Sequence, residues 1–327
     1  MAREEKRSRV RHRSGGCFGC LTRLLILLGI AAALFVGACL TGIIRNDADG
    51  RPVLSLNDAA LPDFSAWSAM QTGKGGGFSL PGWAYNLDAS GLTIKALRAG
   101  KGEALLVCSN GFTMLVNAGS GRYGAAIQML LCRINRLDAV VATDSTDENL
   151  GGVPFAMSIG KPAYLFYQDT QTKSRSYEEM LASPGSAQTV VPRTGLAFNL
   201  GGARVTFIGP EQTHHKYDGD DSLSLRIDYG KTAVLITGGI GAEGERELMD
   251  SGANLAADAL IFAPEGSRDP MSSAFAAAVS PKAVIATGDL SFQSKARLEQ
   301  AGAHIYSTRQ TGVITLVSDG ETVSVEP

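Results

Sequence analysis

The densest run of chemistry-bearing side chains is Asp144-Ser145-Thr146-Asp147-Glu148-Asn149. Neighbouring carboxylates can hold a hard cation or move a proton. Oxygen donors of this kind suit Mg²⁺, Ca²⁺ or Mn²⁺ better than Zn²⁺. The bland alternative is a solvated acidic loop at a strand end. Imidazole is scarce, with 4 His in 327 residues. His214 and His215 share a loop with Asp218, Asp220 and Asp221, and adjacent rings on a loop do not readily converge on one ion, so they read as surface residues. His304 stands alone near a strand start, and His12 is in a basic tail. Ser222 or Ser267 as a nucleophile would need a positioned base, and no His occupies a motif that supplies one.

Gly119-Ser120-Gly121-Arg122-Tyr123-Gly124 matches G-x-G-x-x-G, with Asp144 about where a ribose-binding acid would sit. Such glycines let a backbone approach a pyrophosphate at a helix N-terminus. Against that reading, the preceding strand is the second arm of a hairpin, whereas the fingerprint opens an independent βαβ unit. Cys17 and Cys20 form a lone C-x-x-C without a partner pair, which reads as a spectator rather than a zinc or redox site. Cys108 and Cys132 lie in apolar runs and read as small core residues.

The composition frames these candidates. Apolar residues make up 44% and charged residues 19%, enough for a real core. The 39 Gly follow no Gly-X-Y period, and five Cys are too few for a disulfide scaffold. Residues 1–23 carry seven Lys and Arg against Glu4 and Glu5, a net of +5 that leaves the remainder at −7. Such an excess outside the tail disfavours a nucleic-acid partner, because phosphate contacts need Lys and Arg.

Leu24–Ile44 follows the basic tail as 21 uncharged residues, about 31 Å as a helix, which matches a hydrocarbon core. It reads as a transmembrane helix with a cytoplasmic N-terminus and an extracytoplasmic remainder, a single-pass protein of a bacterial cell membrane. Two rivals place the domain on the same side. Val36-Gly37-Ala38-Cys39 resembles a lipoprotein box with Cys39 as the lipidated residue, and a cleaved signal is the other. Residues 45–91, rich in Gly and Pro, read as a linker with a short helix near Phe64–Met70.

From Leu92 the chain turns regular. Leu92–Leu97 alternates like a strand, and residues 103–118 form a hairpin turning at Asn110-Gly111. Ile127, Leu130, Leu131 and Ile134 recur at helical spacing, which predicts an amphipathic helix over Tyr123–Asn135. Asp138–Thr143 is a buried strand. Strands at Ala203–Ile208, Ser222–Asp228, Lys231–Thr237, Asp258–Ala263, Ala283–Thr287 and His304–Ser307 alternate with helices at Glu243–Met249, Ser272–Val279 and Ser294–Gly302. A hairpin over 312–326 turns at Asp319-Gly320. Strands alternating with helices, yet with frequent hairpins, predict an α/β sandwich with mixed sheets.

Seven stretches in order resemble the soluble domain of the ComEC-type competence proteins, a branch of the metallo-β-lactamase fold. Ala99–Ala104 resembles that family's VGQGDA, Asn117–Gly121 its DAGxG, and Thr143–Gly152 stands where T-H-x-H-x-D-H-x-G-G is expected. Asp221–Leu223 resembles NSL, Thr237–Gly239 TGD and Ala263–Ser267 GHHGS, and the tail from Gly312 resembles the closing hairpin. The resemblance implies an αββα sandwich with mixed sheets over residues 92–327. It also implies a cleft at the family's metal positions, which hold Zn²⁺ or similar ions that activate water. Here those positions carry Asn117, Asp144, Thr146, Glu148, Asn149, Gly239, Pro264 and Glu265, with Asp147 beside them. No imidazole stands at any of them, so no zinc cofactor is expected, although a hard cation at Asp144 and Glu148 stays open. The expected function is a non-catalytic binding or scaffold domain with an unknown ligand or protein partner. The alternative is a metal-dependent hydrolase, phosphodiesterase- or nuclease-like, with an oxygen-rich site around Asp144 and Glu148.

Overall fold

The computed structural model describes residues 44–46, 52–54, 91–170, 173–212, 215–264 and 270–327. The chain divides into two units, Met1–Ser79 and Leu80–Pro327. In the first, β1 (Ile44–Asn46) pairs antiparallel with β2 (Pro52–Leu54), Ile44 facing Leu54. Ile44, expected to close the apolar span, is therefore a strand residue. The rest of that span, residues 24–43, lies outside the described residues, as do Cys17, Cys20, Cys39 and the helix expected near 64–70. Among the described residues no helix is long and apolar enough to cross a membrane.

The second unit is built from two mixed sheets. In the first, β3 (Leu92–Ala96), β4 (Leu105–Ser109) and β5 (Phe112–Val116) run antiparallel, the last two joined at Asn110-Gly111. β6 (Ala139–Ala142), β7 (Tyr164–Tyr167) and β8 (Gln188–Val190) then add parallel to β5. The crossovers between these parallel strands carry α1 (Gly124–Leu131), α2 (Asp147–Leu150), α3 (Val153–Gly160) and α4 (Arg175–Ala182).

The second sheet repeats the plan. β9 (Ala197–Leu200), β10 (Ala203–Gly209), β11 (Ser224–Tyr229) and β12 (Thr232–Ile236) are antiparallel, and β13 (Ala259–Phe262), β14 (Ala283–Ala286) and β15 (His304–Ser307) follow in parallel. Its crossovers are α5 (Ala242–Asp250), α6 (Ser273–Val279) and α7 (Phe292–Gln300). After α8 (Thr308–Thr311), β16 (Ile314–Ser318) returns to the first sheet beside β3, with β17 (Val323–Glu326) outside it.

Side-chain alternation stacks these elements. Leu105 and Val107 point between the sheets, where they meet Val234 and Ile236. Leu106 and Cys108 point the other way, under Met129 and Val153 of the helices. Leu235 and Leu260 do the same beneath Phe275 and Leu298. Strands buried on both faces read as continuous apolar runs, which is why β4, β6, β12 and β13 were legible. Three apolar layers between four structural layers make an αββα sandwich, with Cys108 and Cys132 buried in it as expected.

One helix departs from its expectation. α1 ends at Leu131, and its buried face is Ala125, Ala126, Gln128 and Met129. Ile127, which defined the period, is 53% exposed. Gln128 wins the inward place because its amide bonds both ways with the Arg98 backbone, at 3.0 and 3.3 Å. The strands β7, β8 and β9 and the helices α2, α3, α4 and α8 had no counterpart in the periodicity. Each spans only three to eight residues, shorter than the windows on which periodicity rests.

Candidate functional site

Parallel strands ending side by side leave a crevice at their carboxyl ends. Here β5 runs out at Asn117, β6 at Thr143 and Asp144, and β12 at Thr237-Gly238-Gly239. A cleft of about 590 Å³ opens there, lined by Lys101, Gly102, Asp144, Thr146, Glu148, Asn149, Gly239 and the segment Lys216–Gly219. Five of the expected site residues thus converge. Two others do not line it. Asn117 lies buried behind the cleft. Asp147 turns aside to Ser176, whose side chain and amide, the amide at 3.0 Å, hold its carboxyl below the usual range. Glu265, with Ser267, falls outside the described residues.

Asp144 is not a solvated loop acid. It is 4% exposed. Its Oδ1 accepts the Thr146 amide and hydroxyl, both at 2.9 Å, and its Oδ2 accepts the Asn149 side-chain amide. Burial raises its pKa, against the pull of the Thr146 and Asn149 donors. Asn149 in turn accepts the Glu103 amide at 2.7 Å.

Asn117 works the same way from beneath. It has a left-handed backbone (φ 54), a conformation Asn tolerates better than most residues. Its Oδ1 accepts the Thr143 amide at 2.9 Å, and its Nδ2 donates to the Thr143 hydroxyl at 2.7 Å and to Glu103 Oε1 at 3.1 Å. An ionised aspartate could not make those two donations.

Glu103 is the site residue that sequence reasoning missed. It is wholly buried, and its Oε2 has no partner among the described residues. Burial, reinforced by the Asp144 charge and only partly offset by the Asn117 bond, pushes its pKa up to about 8. That shift favours the neutral carboxyl at neutral pH. Its position in Ala99–Ala104 was legible, but not that a charged residue there would be sealed.

The Gly119–Gly124 loop resolves against a dinucleotide. The amides of Gly119, Ser120 and Gly121 donate to the carbonyls of Glu103, Lys101 and Ala99, at 2.9, 2.8 and 3.1 Å. A Cβ on Gly119 (φ +67) would lie 2.2 Å from the Ala99 oxygen. These glycines serve a close backbone crossing, and the amides of Gly119, Ser120 and Gly121 are already used within it.

On the opposite rim, His215 corrects the surface expectation, while His214 is outside the described residues. Its Nδ1 meets Asp221 at 2.7 Å and its Nε2 meets Glu247 of α5 at 2.8 Å, with the ring only 13% exposed. Burial opposes the charged ring, but the Asp221 bond and the Glu247 charge outweigh it, and the pKa rises above 6.5. The ring pins the segment that carries Lys216–Gly219 to α5. A raised histidine pKa contributes stability below the unfolded value and loses it as pH climbs through the folded one. His215→Gln should therefore cost about 1–2 kcal/mol at pH 6. That cost should shrink at alkaline pH, read by denaturant melts of both proteins; an equal cost at both pH values would exclude a charged ring. Ser222 accepts the Gly239 amide at 3.3 Å and has no imidazole against it among the described contacts.

No family model matches the chain, and no curated protein matches it in sequence. Among solved structures it is similar to the metallo-beta-lactamase fold protein YhfI from Bacillus subtilis. That likeness is at 14% identity over 66% of this chain and 95% of that one, with a TM-score of 0.45. It is also similar to Tm1679, a metal-dependent hydrolase of the beta-lactamase superfamily, at 12% identity over 66% and 95%, with a TM-score of 0.45. CmlA, a diiron beta-hydroxylase from Streptomyces venezuelae, is similar at 12% identity over 60% and 44%, with a TM-score of 0.41. Likenesses this distant establish no activity. The architecture stands on the two sheets and their three apolar layers.

Proposed function

We propose that this is a membrane-anchored, extracytoplasmic domain of metallo-β-lactamase fold, of the ComEC-type branch, that binds a ligand or protein at the Asp144 cleft without hydrolysing it. The observation that carries the reading is the hydrogen-bond circuit around Asp144 and Asn117. Both Asp144 oxygens already accept donors, and Asn117 spends its amide on Thr143 and Glu103. Among the described residues no group of three or more His, Cys, Asp or Glu could hold a metal ion. Gly239 supplies no side-chain ligand, so the donor set does not fit a two-metal centre. The ordered match of motifs to strand ends supports the branch, and the uncharged run at 24–44 supports the anchor.

One observation favours the alternative, a hydrolase with an oxygen-rich site. Glu103 leaves a buried oxygen unpartnered beside Asp144. Elemental analysis of the full chain purified without chelator, with melting scans in Zn²⁺, Mn²⁺, Mg²⁺ and Ca²⁺, separates the two. Binding to the native state must raise the melting temperature. We expect no stoichiometric metal and no rise. Near-stoichiometric metal that is lost in Asp144→Ala would overturn the reading and favour the hydrolase.

A further inference from the structure

α1 wears its apolar stripe on the outside. Tyr123 and Ile127 are 52% and 53% exposed, and half-buried Leu130 and Leu131 continue the same face at helical spacing. The Tyr123 ring meets Phe155 of α3 edge-on at 4.7 Å, which extends the stripe sideways. Beyond the C-terminal end of the helix, Phe112, 50% exposed, shares a depression with Arg133 and Arg136. Of the seven large apolar residues exposed among the described ones, Tyr123 and Ile127 thus sit on one short helix, and Phe112, at the start of β5, lies beyond its end. A contiguous apolar patch rimmed by polar groups marks an interaction surface.

The rim is basic in a unit whose surroundings are acidic. Arg122 and Lys161 border the depression at the N-terminal end, Arg133 and Arg136 the one at the other end. The acids nearby are Glu179, paired with Arg122 at 3.3 Å, Asp138, which accepts the Thr113 amide at 2.8 Å, and Asp147 and Glu148, which share a depression with Arg122. Exposed aromatic and aliphatic side chains flanked by Arg and Lys fit a boundary of acyl chains and anionic headgroups. A second copy fits poorly, since a two-fold contact through this stripe would bring the four cations against their equivalents.

We propose that this face, Tyr123, Ile127 and Phe112 with Arg122, Arg133 and Arg136, docks on an anionic lipid surface. The proposal rests on the anchor reading, which keeps the domain within reach of a bilayer through residues 45–91. The docked face sits beside the cleft, since Arg122 also borders a depression shared with Lys101 and Glu148. Docking would thus fix how the cleft is presented above the membrane.

The test reconstitutes the full chain in vesicles carrying a photoactivatable phospholipid, with adducts mapped by mass spectrometry. We expect adducts on peptides holding Phe112, Tyr123 and Ile127 in phosphatidylglycerol–phosphatidylcholine vesicles, weakening in high salt. Arg133→Glu with Arg136→Glu should cut them by more than about tenfold, each cation contributing about fivefold near such a surface. Ile127→Ser, at an exposed position, should lower them with an unchanged melting temperature. Adducts within residues 24–44 report the anchor separately. Their presence without adducts on α1 overturns the docking and leaves the anchor. Their absence overturns the anchor, and the α1 peptides still decide the docking. Equal labelling in pure phosphatidylcholine, or chain-to-chain cross-links through Ile127, overturns it in favour of a different occupant.

Discussion

Replacing Glu103 by Gln should make the protein more stable than the parent at alkaline pH, by on the order of 4 kcal/mol or about 10 °C in melting temperature. The sign follows from linkage. Below pH 4.5, the ordinary glutamate value, Glu103 is protonated folded or unfolded. Between there and its folded value of about 8, the unfolded chain releases the proton while the native state keeps it. The native state then binds more protons, so stability falls with rising pH, by about 1.4 kcal/mol per pH unit, and levels off once the folded carboxyl ionises. Glutamine stays neutral throughout and keeps an Oε1 to accept the Asn117 donor, now at 3.1 Å. Melts of parent and Glu103→Gln from pH 5 to pH 9 should start close together and separate steadily. Parallel curves would show that the carboxyl is ionised when folded, and the raised Glu103 pKa would fail with it.

Gly102→Ala should cost about 3–5 kcal/mol, combining a left-handed backbone with overpacking. Gly102 has φ +78, and a Cβ there would lie 2.1 Å from the Glu148 carbonyl oxygen and 2.6 Å from Asn149 Oδ1. The main chain of α2 cannot yield as a flexible side chain would. Moving it would also strain the Glu103–Asn149 and Ala118–Asn149 bonds, at 2.7 and 2.8 Å. Gly111→Ala supplies the comparison. Its φ is +83, yet nothing lies within 4 Å of the added carbon, so only the backbone term remains, about 1 kcal/mol. Denaturant unfolding of both variants separates conformation from collision. Equal losses would mean that the loop at Gly102 does not press on α2.

The two closed networks also explain why the candidate site was only half legible. Asp144, Glu148 and Asn149 were visible as a polar run after a strand, and their shared cleft follows from β6 ending there. Whether Asp144 was solvated was not visible, because Thr146 and Asn149 cap it by curling back through α2, a helix of four residues. Glu103 stood in the stretch Ala99–Ala104 as an ordinary charged residue after a glycine. Its one side-chain bond comes from Asn117, fourteen positions away, and the charge that raises its pKa comes from Asp144, past the end of β6. His215 looked like a surface ring, and its second carboxylate, Glu247, arrives only when α5 packs on the loop after β10.

The sequence by itself determined the hairpin at Asn110-Gly111, the two-sided burial of β4, β6, β12 and β13, and the oxygen-rich side chains Asp144, Glu148 and Asn149 that meet at the cleft. These are local properties: apolar runs, turn chemistry and residue identity. Tertiary structure decided which face of α1 looks outward, which carboxyls are sealed from water, and which amides of the glycine loop are already bonded. Each of those depends on contacts between segments far apart in the chain. At such contacts a buried hydrogen bond, as at Gln128 or Asn117, outweighs the periodicity that one segment shows alone.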